Sequence, residues 1–100
     1  MNMKYNIRTS CEGLIIIHPS KILKICRPNS IEGTKSLGAP VMINVDHICL
    51  VSFNREGNPC YFLSNGFEVA INLPIDVVSK AFENAKCKKD SEFVSEHIEH

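Results

Sequence analysis

The sequence predicts an α+β domain with a small, mostly antiparallel β-sheet of five to seven short strands, followed by one or two C-terminal helices. Two observations carry this prediction. Short β-branched or alternating apolar runs, separated by turn residues, fill the chain up to about residue 72. After Pro74 the apolar residues recur every three to four positions, which is the period of a helix. A chain of 100 residues is expected to form a single domain.

The first strands lie in the N-terminal third. Tyr5 and Ile7 alternate with polar neighbours, and the Glu12-Gly13 turn separates them from an aliphatic run. Pro19 then interrupts that run, because proline donates no ladder hydrogen bond. The expected strands are residues 4–10, 14–17 and 22–26, and the first two should form a hairpin.

An antiparallel meander is expected in the second half of the sheet. Asn65-Gly66 is the strongest short hairpin signal in the chain. A short strand over Val41–Ile43 and a polar turn precede the meander. Residues 28–40 are rich in Pro, Gly, Ser and Asn and are expected to form the longest loop, a candidate mobile or binding segment. The meander strands are expected at residues 48–53, 60–64 and 67–72.

One helix is expected over about residues 75–87. Pro74 is a favourable first helical residue, and the residues that follow place an apolar stripe on one side. Asp90 or Ser91 is a candidate cap of a second short helix, and residues 91–100 are otherwise expected to be a tail. The stripe of the main helix consists of Ile75, Val78, Ala81, Phe82 and Ala85.

A similar phrase occurs twice in the chain. IIIHPSKILKI spans Ile15–Ile25, and VMINVDHICLV spans Val41–Val51. Each reads as a short strand, a tight polar corner and a second short strand. Ile17/Ile43 and Ile22/Ile48 are the identical pairs, so a duplication stays open while the local structure is predicted for both copies.

Charge is segregated along a chain whose formal net charge is zero. Residues 1–40 carry six Lys and Arg against two acids, and the remaining residues carry five against nine. A basic segment can meet an anion such as nucleic acid, and an acidic one can meet a basic protein. The candidate anion-binding residues are Lys21, Lys24, Arg27 and Lys35, and the candidate protein-binding residues are Glu92, Glu96 and Glu99.

Catalytic, metal and cofactor sites are not expected. The five cysteines form no CxxC pair, and Cys26, Cys49 and Cys60 lie in apolar runs, where a thiol acts as a small hydrophobe. We therefore expect a reducing, cytoplasmic location. His47 with Cys49 has poor spacing for zinc. The apolar runs are too short for the core of a signal peptide or for a membrane span. A membrane partner is therefore not predicted.

The stretches INVDHI and YFLSNGFEVAINL resemble the second half of LytTR-type DNA-binding domains, and NIRTSCEGLIIIHPSKILKI resembles the opening strands of that family. These stretches also resemble the short FlbD-like proteins. The resemblance implies a DNA-binding transcriptional regulator that uses the basic N-terminal patch. Where the family has a basic, aromatic strand before the corner, this chain has RPNSIEGTKSLGAP.

Two functions are therefore predicted. The first is a small non-enzymatic cytosolic protein-binding adaptor or inhibitor of a larger protein, of the kind that phages and mobile elements encode. It is favoured by the zero net charge and the missing basic strand. The alternative is the DNA-binding regulator. A homodimer is compatible with both, because short sheets leave open edges.

Overall fold

The computed structural model describes residues 5–30, 33–34 and 38–94. These residues form two antiparallel sheets and one helix, which confirms the α+β class. The described residues contain nine strands, divided between two sheets, rather than five to seven. The two additional strands lie at residues 33–34, within the predicted loop, and at residues 91–94, in the C-terminal segment. The strands are β1 (Tyr5–Thr9), β2 (Leu14–Ile17), β3 (Ile22–Cys26), β4 (Gly33–Thr34), β5 (Val41–Asn44), β6 (Ile48–Phe53), β7 (Pro59–Leu63), β8 (Glu68–Ile71) and β9 (Ser91–Val94), and the helix is α1 (Ile75–Lys86).

The strand order is β5-β2-β1-β9 in the first sheet and β4-β3-β8-β7-β6 in the second. The expected hairpin β1–β2 and the expected meander β6–β7–β8 are both present. The chain passes from the first sheet to the second twice, from β2 into β3 and from β5 into β6. These two crossings are the two copies of the repeated phrase.

Each crossing is a single turn of 3-10 helix, at Pro19–Lys21 and at Val45–His47. A side chain caps each turn: His18 Nδ1 accepts the Ser20 N–H at 3.1 Å, and Asn44 Oδ1 accepts the Asp46 N–H at 2.9 Å. An imidazole in one corner and an amide in the other therefore play the same role, which is to accept a backbone N–H of the turn. The prediction of strand, polar corner and strand is confirmed for both copies.

The core lies between the two sheets and α1. Helical residues at the expected spacing, Val78, Ala81 and Ala85, are fully buried. They pack with Ile15 and Ile17 of β2, with Ile71 of β8 and with Tyr61 of β7 in one cluster. The amphipathic stripe thus covers the sheets as predicted. Pro74 is the residue before the helix rather than its first residue, and the helix ends at Lys86.

The turn between β7 and β8 holds the loop that follows β3. Gly66 has a φ of +94°, a backbone angle that residues other than glycine rarely adopt. A Cβ atom at this position would lie 3.0 Å from the Cβ atom of Pro28. Glycine therefore serves both the hairpin turn and the close approach of the residue 27–30 loop.

Residues 91–94, the described part of the C-terminal segment, form neither a second short helix nor a tail, because they form β9 at the edge of the first sheet. The cap candidates bind distant partners instead. The Asp90 carboxylate accepts the Cys11 N–H at 3.0 Å, and Ser91 Oγ lies 2.7 Å from Thr9 Oγ1. These bonds draw the chain alongside β1 in extended form. In the described part of the chain, no helix has the length and apolar character needed to cross a membrane.

Candidate functional site

The strand β6 forms an open edge of the second sheet. None of its six residues, ICLVSF, is charged. Leu50 is 54% exposed and Phe53 is 51% exposed, although both are large and apolar. Natural edge strands are usually protected by a charged side chain, a proline or a covering segment, because their free backbone groups can pair with another chain. The β6 edge carries an apolar side-chain surface instead of charge.

The backbone of β6 alternates between its partner strand and the open side. Asn54 N–H donates to Asn58 O at 2.9 Å, so in an antiparallel ladder the bonded residues on β6 are the even-numbered ones. The N–H and C=O groups of Val51 and Phe53 therefore point away from β7. A register shift at Cys49 ends this regular alternation near the start of the strand. The segment that can accept another strand is thus short and centred on Val51–Phe53.

A polar groove of about 500 Å³ lies on the outer face of the same sheet, opposite α1. The turn 54–58 between β6 and β7 forms one wall, and the residue 27–30 loop forms the other. Asn54 Oδ1 accepts the N–H groups of Glu56 and Asn58, which fixes the turn. The residues lining the groove include Lys24, Arg27, Asn29, Arg55, Glu56 and Glu68.

The charges of this groove are mixed. Lys24 Nζ lies 3.0 Å from Glu56 Oε2, and this hydrogen bond raises the pKa of Lys24. Glu56 is exposed and Lys24 is partly exposed, so the pair contributes little to stability. Its consequence is local, because it neutralises one of the cations predicted to meet an anion. Among the described residues, Arg27 and Arg55 line the groove without a salt bridge.

Small buried residues flank this groove on the same face of the sheet. Cys60 and Ala70 are cross-strand partners of one another, and Ala70 also pairs with Lys24. Cys60 is completely buried, and this burial raises the pKa of its thiol to about 12. Its Sγ atom contacts the Tyr61 carbonyl oxygen at 3.6 Å. A thiol held in its neutral form is a poor nucleophile and a structural residue.

The structure brings together only part of the predicted basic patch. Lys24 and Arg27 lie on the groove. Lys21 is half-buried in the first corner, where its carbonyl oxygen accepts the Asn72 N–H, and it does not line the groove. Lys35 lies outside the described residues. Arg55 was not among the predicted anion-binding residues. The sequence places it in a turn, and it does not indicate that this turn lines the same groove as Lys24 and Arg27.

The predicted acidic patch is represented by one described residue. Glu92 is exposed on β9, opposite Arg8 of β1. Glu96 and Glu99 lie outside the described residues. Within the described ranges no group of three His, Cys, Asp or Glu side chains is placed to hold a metal ion. Cys49 is exposed at the irregular position of β6.

Fold and surface together define a two-sheet α+β protein with an uncharged, open strand edge beside a polar groove. The chain matches no protein-family model, no curated protein and no solved structure. The resemblance to LytTR-type and FlbD-like proteins therefore stays a prediction from the motifs that carry it.

Proposed function

We propose that this chain is a non-enzymatic protein-binding module, an adaptor or inhibitor, and that its binding element is the β6 edge. The occupant is an extended, uncharged apolar strand of a protein. The observation that supports this most is the coincidence of exposed Leu50 and Phe53 with outward-facing backbone groups at Val51 and Phe53. Strand addition draws affinity from main-chain hydrogen bonds and specificity from alternate side chains, and β6 offers both.

Two further observations favour this function. Three of the four exposed large hydrophobic residues in the described chain, Met42, Leu50 and Phe53, lie on β5 and β6. These strands are consecutive in the chain and are each an edge of a sheet. Exposed apolar residues on an edge strand mark a candidate interaction site, because such a strand can pair with another chain.

We expect a photoreactive benzoylphenylalanine at position 53 to form discrete protein adducts in cells of the native host. The side chain is exposed, so the replacement should fold, and a bound strand would lie within its reach. Adducts are measured as shifted bands after irradiation and identified by mass spectrometry. The same residue at position 94, which is 52% exposed on β9 at the edge of the first sheet, is the matched control.

Position 53 should give at least about tenfold more adduct than position 94, because a strand added to β6 lies beside position 53 and not beside β9. An adduct of one defined mass that disappears when Leu50 is changed to Lys would support the proposal. Equal labelling at both positions, or no protein adduct at position 53, would contradict it.

The DNA-binding regulator is a second candidate, supported by the positions of Lys24, Arg27 and Arg55 on one groove. Phosphate contacts release counterions, so the affinity would fall steeply as salt is raised. Glu56 and Glu68 line the same groove and weigh against a polyanion. The motifs shared with LytTR-type domains are its other support.

For this candidate we expect binding to a labelled random-sequence duplex at low salt that is lost at moderate salt. The measurement is fluorescence anisotropy. Arg27→Ala with Arg55→Ala should weaken binding about tenfold or more, because both phosphate contacts are lost. Each lost contact should also reduce the slope of affinity against salt concentration by about one. Lys80→Ala with Lys86→Ala, on the exposed face of α1, is the matched control. Absence of binding at low salt would exclude DNA as the ligand.

A further inference from the structure

We propose that the strand that completes the β6 edge is β6 of a second copy of this chain, so that the protein is a homodimer with a twofold axis at Ser52. This inference rests on the proposed function, since it names the occupant of the same edge. Five strands from each copy would then form one continuous antiparallel sheet. In a twofold interface every contact occurs twice, and a residue on the axis lies opposite its own counterpart, which places a strong requirement on the sequence of the edge.

The first requirement is the absence of charge near the axis. In an antiparallel pair of identical strands, a charged residue at the centre would face the same charge on the other copy. No residue from Ile48 to Phe53 is charged. The nearest charged residues beyond the two ends have opposite signs, with Asp46 before the strand and Arg55 after it. Antiparallel pairing brings the acidic end of one copy toward the basic end of the other.

The second requirement is a register in which outward backbone groups meet. Val51 and Phe53 are the outward-facing residues in the regular part of the strand, because the even-numbered residues bond to β7. Pairing Val51 of one copy with Phe53 of the other gives the outward-facing N–H and C=O groups of both residues a hydrogen-bond partner in both copies. This register places Ser52 opposite Ser52 of the second copy.

The side chains fit this register. On the face that α1 covers, each Val51 would pack against a Phe53 ring of the second copy, which removes the exposed part of that ring from water. On the other face, the two Ser52 hydroxyls lie close enough to bond each other, since directly opposed residues without ladder bonds approach to about 4.5 Å between Cα atoms. Leu50 would lie opposite Asn54 of the second copy. The pairing thus covers both exposed apolar residues of β6.

The test is the mass of the purified full chain by analytical ultracentrifugation over a range of micromolar concentrations. The native chain should sediment at twice 11.2 kDa. Phe53→Lys should weaken the dimer at least about a hundredfold, because it buries an ammonium group without a partner. Val94→Lys, at nearly the same exposure on β9 at the edge of the first sheet, should leave the dimer intact.

The register has its own variants. Ser52→Lys should also dissociate the dimer, because two ammonium groups would face each other on the axis, whereas Ser52→Thr should preserve it. Thermal unfolding of each variant establishes that the monomer remains folded. A folded dimer that survives both Phe53→Lys and Ser52→Lys would overturn the inference.

A chain that is monomeric at every concentration would overturn it as well. In that case the benzoylphenylalanine adduct at position 53 separates the two proposals. An adduct with a different protein would leave the proposed function standing, and no protein adduct would remove both. An adduct of twice the chain mass at position 53, with none at position 94, would support the dimer and the edge together.

Discussion

Replacing Tyr61 by alanine should lower the free energy of unfolding by about 3–5 kcal/mol, the range found for large aromatic residues removed from a core. Tyr61 is fully buried at the centre of the cluster that joins β7 to α1. A domain of this size is stable by about 5–15 kcal/mol in total, so this single change removes a large share. Urea unfolding followed by circular dichroism measures the difference.

Tyr61→Phe is the matched variant, because it keeps the ring and removes only the hydroxyl group. That hydroxyl donates to the Val78 carbonyl oxygen at 2.7 Å. Val78 lies in the interior of α1, where its carbonyl also accepts the helical bond from four residues on, so it is not left unpaired. The cost should therefore be about 1 kcal/mol. A loss below about 1 kcal/mol for Tyr61→Ala would show that the ring does not anchor the helix.

Local structure was predictable from the sequence wherever it depended on local patterns. The alternation of apolar residues predicted β1, and Asn65-Gly66 predicted the turn between β7 and β8. The two copies of the repeated phrase each predicted a corner, and both corners are present with a side-chain cap. Each copy also has a register shift just after its corner, near Leu23 in one and near Cys49 in the other.

The spatial relation between the two copies of the phrase is visible only in the folded structure. Residues 15–17 of β2 pair with residues 43–41 of β5 in antiparallel order, so Ile16 faces Met42. Since the phrase repeats with an offset that matches Ile16 to Met42, the two copies are related by a local twofold axis through that pair. The sequence pattern could not show this, because it fixes which residues alternate and leaves the order of strands in a sheet open.

The missed features all depend on long-range contacts. Asp90 and Ser91 have the side chains of a helix cap, but their oxygen atoms bind Cys11 and Thr9, about 80 positions earlier in the chain. Lys24 and Glu56 are 32 positions apart, and their contact exists only because the β6–β7 turn reaches across the outer face of the sheet. The charge of Lys24 was visible in the sequence, whereas its neutralisation was not.

Open sheet edges are expected from the sequence, but the identity of the edge strand depends on long-range contacts of the same kind. The apolar run from Ile48 to Phe53 predicted a strand, and a run of that kind is typical of a buried strand as well as of an exposed one. Its position at the end of the second sheet follows from the order of five strands contributed by distant parts of the chain. The binding element that we propose therefore consists of residues that the sequence predicts as a strand without showing that this strand lies at an edge.

Raising the pH above about 9 should destabilise this protein progressively, through two adjacent residues that the fold keeps protonated. Burial raises the pKa of Cys60 from 9.0 to about 12, and burial also raises the pKa of Tyr61 above its ordinary value of 10.0. The unfolded chain releases these protons at the ordinary values, while the folded chain retains them. The stability from each group is therefore complete below its ordinary pKa and is lost as the pH rises toward its folded pKa.

The expected slope is about 1.4 kcal/mol per pH unit for each group once its unfolded form is ionised. Urea unfolding at a series of alkaline pH values measures it. Cys60→Ala removes one of the two ionisations and Tyr61→Phe removes the other, so each should flatten the dependence whatever it does to stability at neutral pH. Equal slopes in the native chain and in both variants would contradict the assignment. The flattening by Cys60→Ala should begin about one pH unit lower than that by Tyr61→Phe, because the ordinary pKa of a thiol lies below that of a phenol.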